Sequence, residues 1–209
     1  MNIPLSDDEK IKILNGSDLY AVMQKILLRE EKIDQDREHF WVVGLANNQR
    51  ILFIELISLG SVNKTIAEPM EVFSLALQKR SVRIVLVHNH PSGEMAPSEQ
   101  DKDVTDRLIQ VGKIVNLEVY DHMIISTNTY LSFRDIGLLD ELARSTKYIP
   151  QYQLEERYKK EAELLAEKKA ILRESEIALG MLEAGMDIEV VSKITGLPVD
   201  EIRRLENGE

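Results

Sequence analysis

The chain has 209 residues, no cysteine, four histidines, 30% charged residues and a net charge of −10. These figures exclude disulfide frameworks, cysteine nucleophiles, thiolate zinc fingers and iron–sulfur clusters. They also argue against general phosphate-backbone binding, which needs clustered Lys and Arg.

At 44% hydrophobic residues the chain can bury a core, and one main domain with a smaller appendage suits its length. Met1 to Asp8 carry neither a basic stretch nor an apolar one of the kind that opens a secretory signal. No apolar run approaches the roughly 18 residues of a membrane span, so the expected address is the cytoplasm.

Ser17 can cap a helix running to about Glu31, with Leu19, Val22, Ile26 and Leu27 on one face. Phe40 to Leu45 and Ile51 to Ile57 are β-rich runs joined through Asn47-Asn48, a hairpin signal. Val62 to Ala67 is a candidate further strand. Pro69 suits the first turn of a helix reaching about Arg80. Arg83 to Val87 reads as a short buried strand that ends at histidines. A helix from Ser98 to about Val115 follows, then strands near Glu118 to Ile125 and Tyr130 to Phe133. Trp41 reads as core, His39 as a surface residue, and His122 as either structural or a support for neighbouring chemistry.

Composition changes near Pro150, and all four histidines precede it. Residues 1–147 are expected to form one domain and residues 148–209 a second, helical one. Tyr158, Leu165, Leu172 and Leu179 recur every seven residues, with Leu164, Ile171 and Ala178 beside them. This stripe fits a helix packed on its own domain. It also fits a two-chain coiled coil, although Glu161, Lys168 and Ser175 interrupt the neighbouring row. After Gly185, Asp187 caps a helix from Ile188 to Thr195, Gly196-Leu197-Pro198 turns the chain, and Val199 to Leu205 resumes as helix. The spacing is that of a helix-turn-helix. The second of these helices is nearly neutral, which favours a packing or dimerising bundle over DNA binding.

The chemistry concentrates in His88-Asn89-His90-Pro91-Ser92-Gly93 and Pro97-Ser98-Glu99-Gln100-Asp101. Side chains two apart on a strand share a face, so His88 and His90 point the same way. Asp101 lies in the first turn of the next helix. Two neutral imidazoles and a carboxylate suit Zn²⁺ and leave a fourth position for water, whose pKa such an ion lowers to about 7. The competing reading is a capping box with Ser98 as N-cap and Asp101 reaching back, a task that Asp101 cannot readily combine with ligation.

The string His88-x-His90-Pro91, six residues, Ser98-x-x-Asp101 resembles the JAMM motif of the JAB/MPN metallopeptidases. Its longer form is similar to the RadC-type bacterial branch of that family, over roughly residues 15 to 140. The resemblance implies an α/β, cytidine-deaminase-like mixed sheet flanked by helices, here with an α-helical C-terminal extension. It implies His88, His90 and Asp101 as zinc ligands and Ser98 as donor to an oxyanion. Glu55 matches the general base, and is conspicuous as an acid within an apolar strand run. Pro69-Met70-Glu71 departs from the branch's usual Pro-Arg-Glu. The segments around Met181 to Asp187 and Thr195 to Pro198 resemble the C-terminal tails of Rpn-type transposase-related nucleases.

The expected function is zinc-dependent amide or isopeptide hydrolysis of a peptide or protein substrate. The alternatives are a non-catalytic JAB-like scaffold or a DNA-transaction accessory protein. The sequence holds no loop for an organic cofactor, and the C-terminal helices offer a route to a homo-oligomer.

Overall fold

A computed structural model describes residues 3–5, 11–29, 36–60 and 67–207. The chain divides into two compact units, Met1–Ile149 and Pro150–Glu209.

The first unit opens with α1 (Gly16–Arg29). Asn15, rather than the expected Ser17, caps it: Asn15 Oδ1 accepts the Asp18 N–H at 3.0 Å, and Asp18 Oδ2 accepts the Asn15 N–H at 3.3 Å. This is a reciprocal box, and the Ser17 hydroxyl merely donates to Asn15. Leu19, Val22, Met23, Ile26 and Leu27 form the buried stripe, spaced as one face of a helix requires. Glu30 and Glu31, the expected end of this helix, lie outside the described residues, as do positions 62–66 of the expected extra strand.

Strands β1 (His39–Leu45) and β2 (Ile51–Leu59) pair antiparallel, joined by a turn in which Gln49 takes a left-handed φ of 66°. Next come α2 (Pro69–Gln78), β3 (Arg83–Asn89), α3 (Glu99–Val115), β4 (Glu118–Ile125) and β5 (Tyr130–Ser132). A short helix that no apolar periodicity announces, α4 (Leu138–Ala143), follows. The sheet order is β2-β1-β3-β4-β5; β3 and β4 are parallel and the other neighbours antiparallel. A parallel pair needs a crossover, and α3 is that crossover.

Alternating strand residues supply two cores, one on each face. On one face α1 covers Trp41, Val43, Ile54, Val85, Val87 and Met123. On the other, Val72, Phe73 and Ala76 of α2 and Leu108 and Ile109 of α3 cover Phe40, Val42, Leu86 and Ile124. Covering on both faces explains why β1 and most of β3 are buried along their length. This is the mixed sheet flanked by helices that the resemblance implied, with a helical region at the C-terminal end.

In the second unit, α5 (Gln151–Glu183) is followed by α6 (Ile188–Thr195) and α7 (Val199–Asn207). Asp187 caps α6 through the Glu189 N–H, and Gly196 ends it at a φ of 76°. Ala178, Val191, Leu197 and Ile202 make a small core of their own. Leu164, Leu165, Ile171 and Leu172, upstream on α5, are exposed, so the apolar stripe is packed only from Ala178 onward. No helix among the described residues is long and apolar enough to cross a membrane.

Gly112 marks where α3 must meet β4 closely. Asn116 turns left-handed at a φ of 55°, and the Leu117 N–H donates to the Gly112 carbonyl at 2.9 Å. A Cβ on Gly112 would lie 2.5 Å from the Leu117 carbonyl oxygen. Alanine favours a helix by about 1 kcal/mol over glycine. Gly112→Ala is nevertheless expected to lower stability by about 1–3 kcal/mol through overpacking. Urea unfolding checks the sign, and a gain in stability would contradict this packing.

Candidate metal centre

Strand β3 delivers its histidines by alternation, with Ile84, Leu86 and His88 on one face and His90 just past the strand's end. The His90 N–H donates to the Ile125 carbonyl at 3.0 Å, extending the pairing with β4 by one residue and fixing where His90 sits. Gly93, at a φ of 77°, then helps turn the chain toward α3.

The first turn of α3 presents Asp101. Ser98 is its N-cap: the Ser98 hydroxyl oxygen accepts the Asp101 N–H at 3.1 Å, and the Ser98 N–H donates to Asp101 Oδ2 at 2.8 Å. From sequence alone this box competes with ligation. The structure combines them, because a carboxylate has two oxygens. Oδ2 closes the box, and Oδ1 lies 3.3 Å from His88 Nε2. The Ser98 hydroxyl proton also goes to Asp101 Oδ2, at 2.6 Å.

His88, His90 and Asp101 thus form a group whose ligand atoms all lie within 4.8 Å of one another and could hold a metal ion. The two Nε2 atoms are 3.0 Å apart, and His90 Nε2 is 3.8 Å from Asp101 Oδ2. The His90 Nδ1–H donates to the Glu94 carbonyl at 2.5 Å. A carbonyl only accepts, so the proton is on Nδ1 and His90 Nε2 presents a lone pair. A lone pair, a second ring nitrogen and a carboxylate 3% exposed therefore converge. Acceptors buried together are costly unless a cation lies among them, and nitrogen and oxygen donors of this kind suit Zn²⁺. The residues present fit the implied metal.

Burial pushes the His88 imidazole down from 6.5 to about 4; Asp101 opposes the shift and His90 adds to it. His122 lies well below its ordinary value, chiefly through burial and further through His88 and His90. The His122 ring is fully buried, 2.8 Å from His88 Nδ1 and 2.6 Å from the Thr105 hydroxyl. Asp121, its neighbour in sequence, instead accepts from the His122 and Arg134 backbone and the Ser132 hydroxyl. His39 is not a surface residue: it is 2% exposed and stacks on Trp41 with ring centroids 4.8 Å apart.

The centre opens into a cleft of about 770 Å³ whose walls include Glu38, His90, Ser98 and Asp101. Glu38, given no role from the sequence, owes its place to strand pairing. Phe40 lies opposite His88 on β3 and Ser58 on β2, so the residue two before Phe40 arrives level with His90. Asn89 then clamps both sides of Glu38. Its Oδ1 accepts the His39 N–H at 2.6 Å, and its Nδ2 donates to the Arg37 carbonyl at 2.9 Å.

Glu55, matched to the base from sequence, is elsewhere. It pairs with Val42, which pairs with Leu86. Glu55 is therefore level with Leu86, two residues back along the sheet from His88 (about 7 Å) and two strands across from it (about 10 Å) at the usual strand spacing. The strand run made Glu55 conspicuous, but the register carries it away from His88.

Residues 13–138 match the RadC-like JAB domain. The chain belongs to the RadC-like JAB domain family. A UPF0758 protein of Desulfitobacterium hafniense (strain DSM 10664 / DCB-2) is 46% identical over 113 residues, covering 54% of this chain and 50% of that protein. A UPF0758 protein of Methanococcoides burtonii is 39% identical over 134 residues, covering 64% of this chain and 56% of that one. The chain thus spans about half the length of the curated relatives it matches. Residues 171–207 match the C-terminal HTH domain of the Rpn/YhgA-like nuclease family.

A pH dependence follows from the buried rings. Below pH 6.5 the unfolded chain protonates His88 while the folded one does not, until about pH 4. The unfolded state then binds more protons, so stability is lost as pH falls through that window, by about 1.4 kcal/mol per pH unit for one such group. The melting temperature of metal-free protein should fall steadily from pH 7 to pH 5. A flat profile would contradict the neutral buried rings.

Proposed function

We propose that this chain is a metal-dependent hydrolase of the JAMM metallopeptidase type, acting with zinc on an amide or isopeptide bond of a peptide or protein. The observation that carries the reading is the convergence of His88 Nε2, His90 Nε2 and Asp101 Oδ1 on one point beside an open cleft. Zinc bound there would supply Lewis acidity and an acidified water.

The chain's own groups do the rest. Glu38 lines the same cleft and is the candidate to take a proton from water and return it to a leaving amine. Asn89 holds that glutamate's backbone at the mouth. Ser98 keeps Asp101 in place, and its hydroxyl must turn from Asp101 to donate to a developing oxyanion. The cysteine-free composition suits the reducing cytoplasm.

Protein purified without a histidine tag should hold about one zinc per chain, and His88→Ala, His90→Ala and Asp101→Ala should each lose it. Once a cleaved substrate is found by mass spectrometry of peptide or isopeptide-linked mixtures, Glu38→Gln should lower kcat by about 10²–10⁴-fold. Glu55→Gln should leave it within a few-fold. The reverse ranking would return the base to β2, and failure to take up zinc after reconstitution would overturn the reading.

A further inference from the structure

A metal-ligating imidazole must present a lone pair, so its proton has to sit on the other ring nitrogen. For His90 the Glu94 carbonyl secures this. For His88 the partner of Nδ1 is another imidazole, His122, at 2.8 Å, and a neutral imidazole can either give or take a proton. Two opposite arrangements are therefore open at this contact. One leaves His88 Nε2 bare. The other puts a proton on it, where it would donate to Asp101 or His90 and block a cation.

The choice is made one residue further back. The Thr105 hydroxyl, buried on α3, donates to the Asp101 carbonyl in a short hydrogen bond. A hydroxyl has a single proton, and a carbonyl can only accept. With that proton committed, the Thr105 oxygen faces His122 Nδ1 at 2.6 Å as an acceptor. The proton of His122 must then lie on Nδ1, its Nε2 must accept, and His88 Nδ1 must donate. His88 Nε2 is left as a lone pair, facing His90 Nε2 at 3.0 Å and Asp101 Oδ1 at 3.3 Å. Thr105, His122 and His88 are 0–1% exposed, so bulk solvent does not reach the chain to compete for its bonds. The rings of Phe40 and Phe133, with centroids 5.8 Å and 4.6 Å from that of His122, wall it in.

We propose that Thr105 and His122 are positioning residues that lock His88 in the tautomer a metal requires, through a one-way hydrogen-bond chain from the Asp101 carbonyl to His88 Nε2. The same α3 turn thus supplies a ligand through the Asp101 side chain and fixes a second ligand's tautomer through the Asp101 carbonyl. The inference rests on the metal-binding reading of the site and not on hydrolysis. The support matters because outer partners of ligating histidines commonly change metal affinity by about 10–100-fold.

Two measurements test it. In metal-free wild-type protein at pH 7, ring-nitrogen ¹⁵N shifts should show both His88 and His122 protonated on Nδ1. Protonation of His88 on Nε2 would overturn the proposal, whether or not the protein ever takes up metal. Next, Zn²⁺ affinity is read by chelator competition. Thr105→Val keeps the shape but removes the acceptor, and should weaken zinc by about 10–100-fold. Thr105→Ser restores the hydroxyl and should stay within a few-fold of wild type. A folded Thr105→Val protein that binds zinc as tightly as wild type would overturn the proposal. If wild type binds no zinc, the metal reading fails, and the NMR result still decides the tautomer.

Discussion

The carboxylate of Asp101 ties the centre together. One oxygen closes the N-terminus of α3 by accepting from Ser98, and the other faces His88. Its backbone carbonyl anchors Thr105 and, through it, His122. A single buried residue therefore couples the start of the crossover helix to both of the parallel strands it joins. A helix cap contributes on the order of 1 kcal/mol, so the geometry needed for ligation is also favoured by folding itself. This is why a capping box and a ligand set are not rivals here.

The histidines and Asp101 were legible in the sequence because their relation is local. A period of two on a strand, a Pro and Gly turn, and a helix start fix their meeting with little help from the rest of the chain. All three helices that cover the sheet and all five strands were also legible, since their apolar spacing is strong. The short α4 was not, because six residues carry too little periodicity. Asn15 displaced Ser17 as a cap because two side chains capable of capping lay close together, and only the reciprocal bonds with Asp18 separate them.

Glu38 and Glu55 show where local reading stops. Their positions relative to the centre depend on the register of β1 against both β2 and β3, a relation spread over some fifty residues. An acid within an apolar run drew attention to Glu55, whereas Glu38 precedes its strand and has no such contrast with its neighbours Arg37 and His39. The signal that could have found it is Asn89, lodged between the two histidines with an amide able to clamp backbone on the neighbouring strand. His122 was similarly ambiguous between a structural and a supporting role, since its partner, Thr105, lies on another element. The C-terminal unit repeats the lesson: its capped helix pair was plain, but the stripe on α5 is packed only near Ala178.

The central claim is that one metal ion sits among three side chains from a strand end and a helix start. Anomalous scattering at the zinc edge from crystals of reconstituted protein tests it most directly. The account predicts one strong peak about 2.0–2.2 Å from His88 Nε2, His90 Nε2 and an Asp101 oxygen. No peak there, or a peak coordinated by other residues, would contradict it.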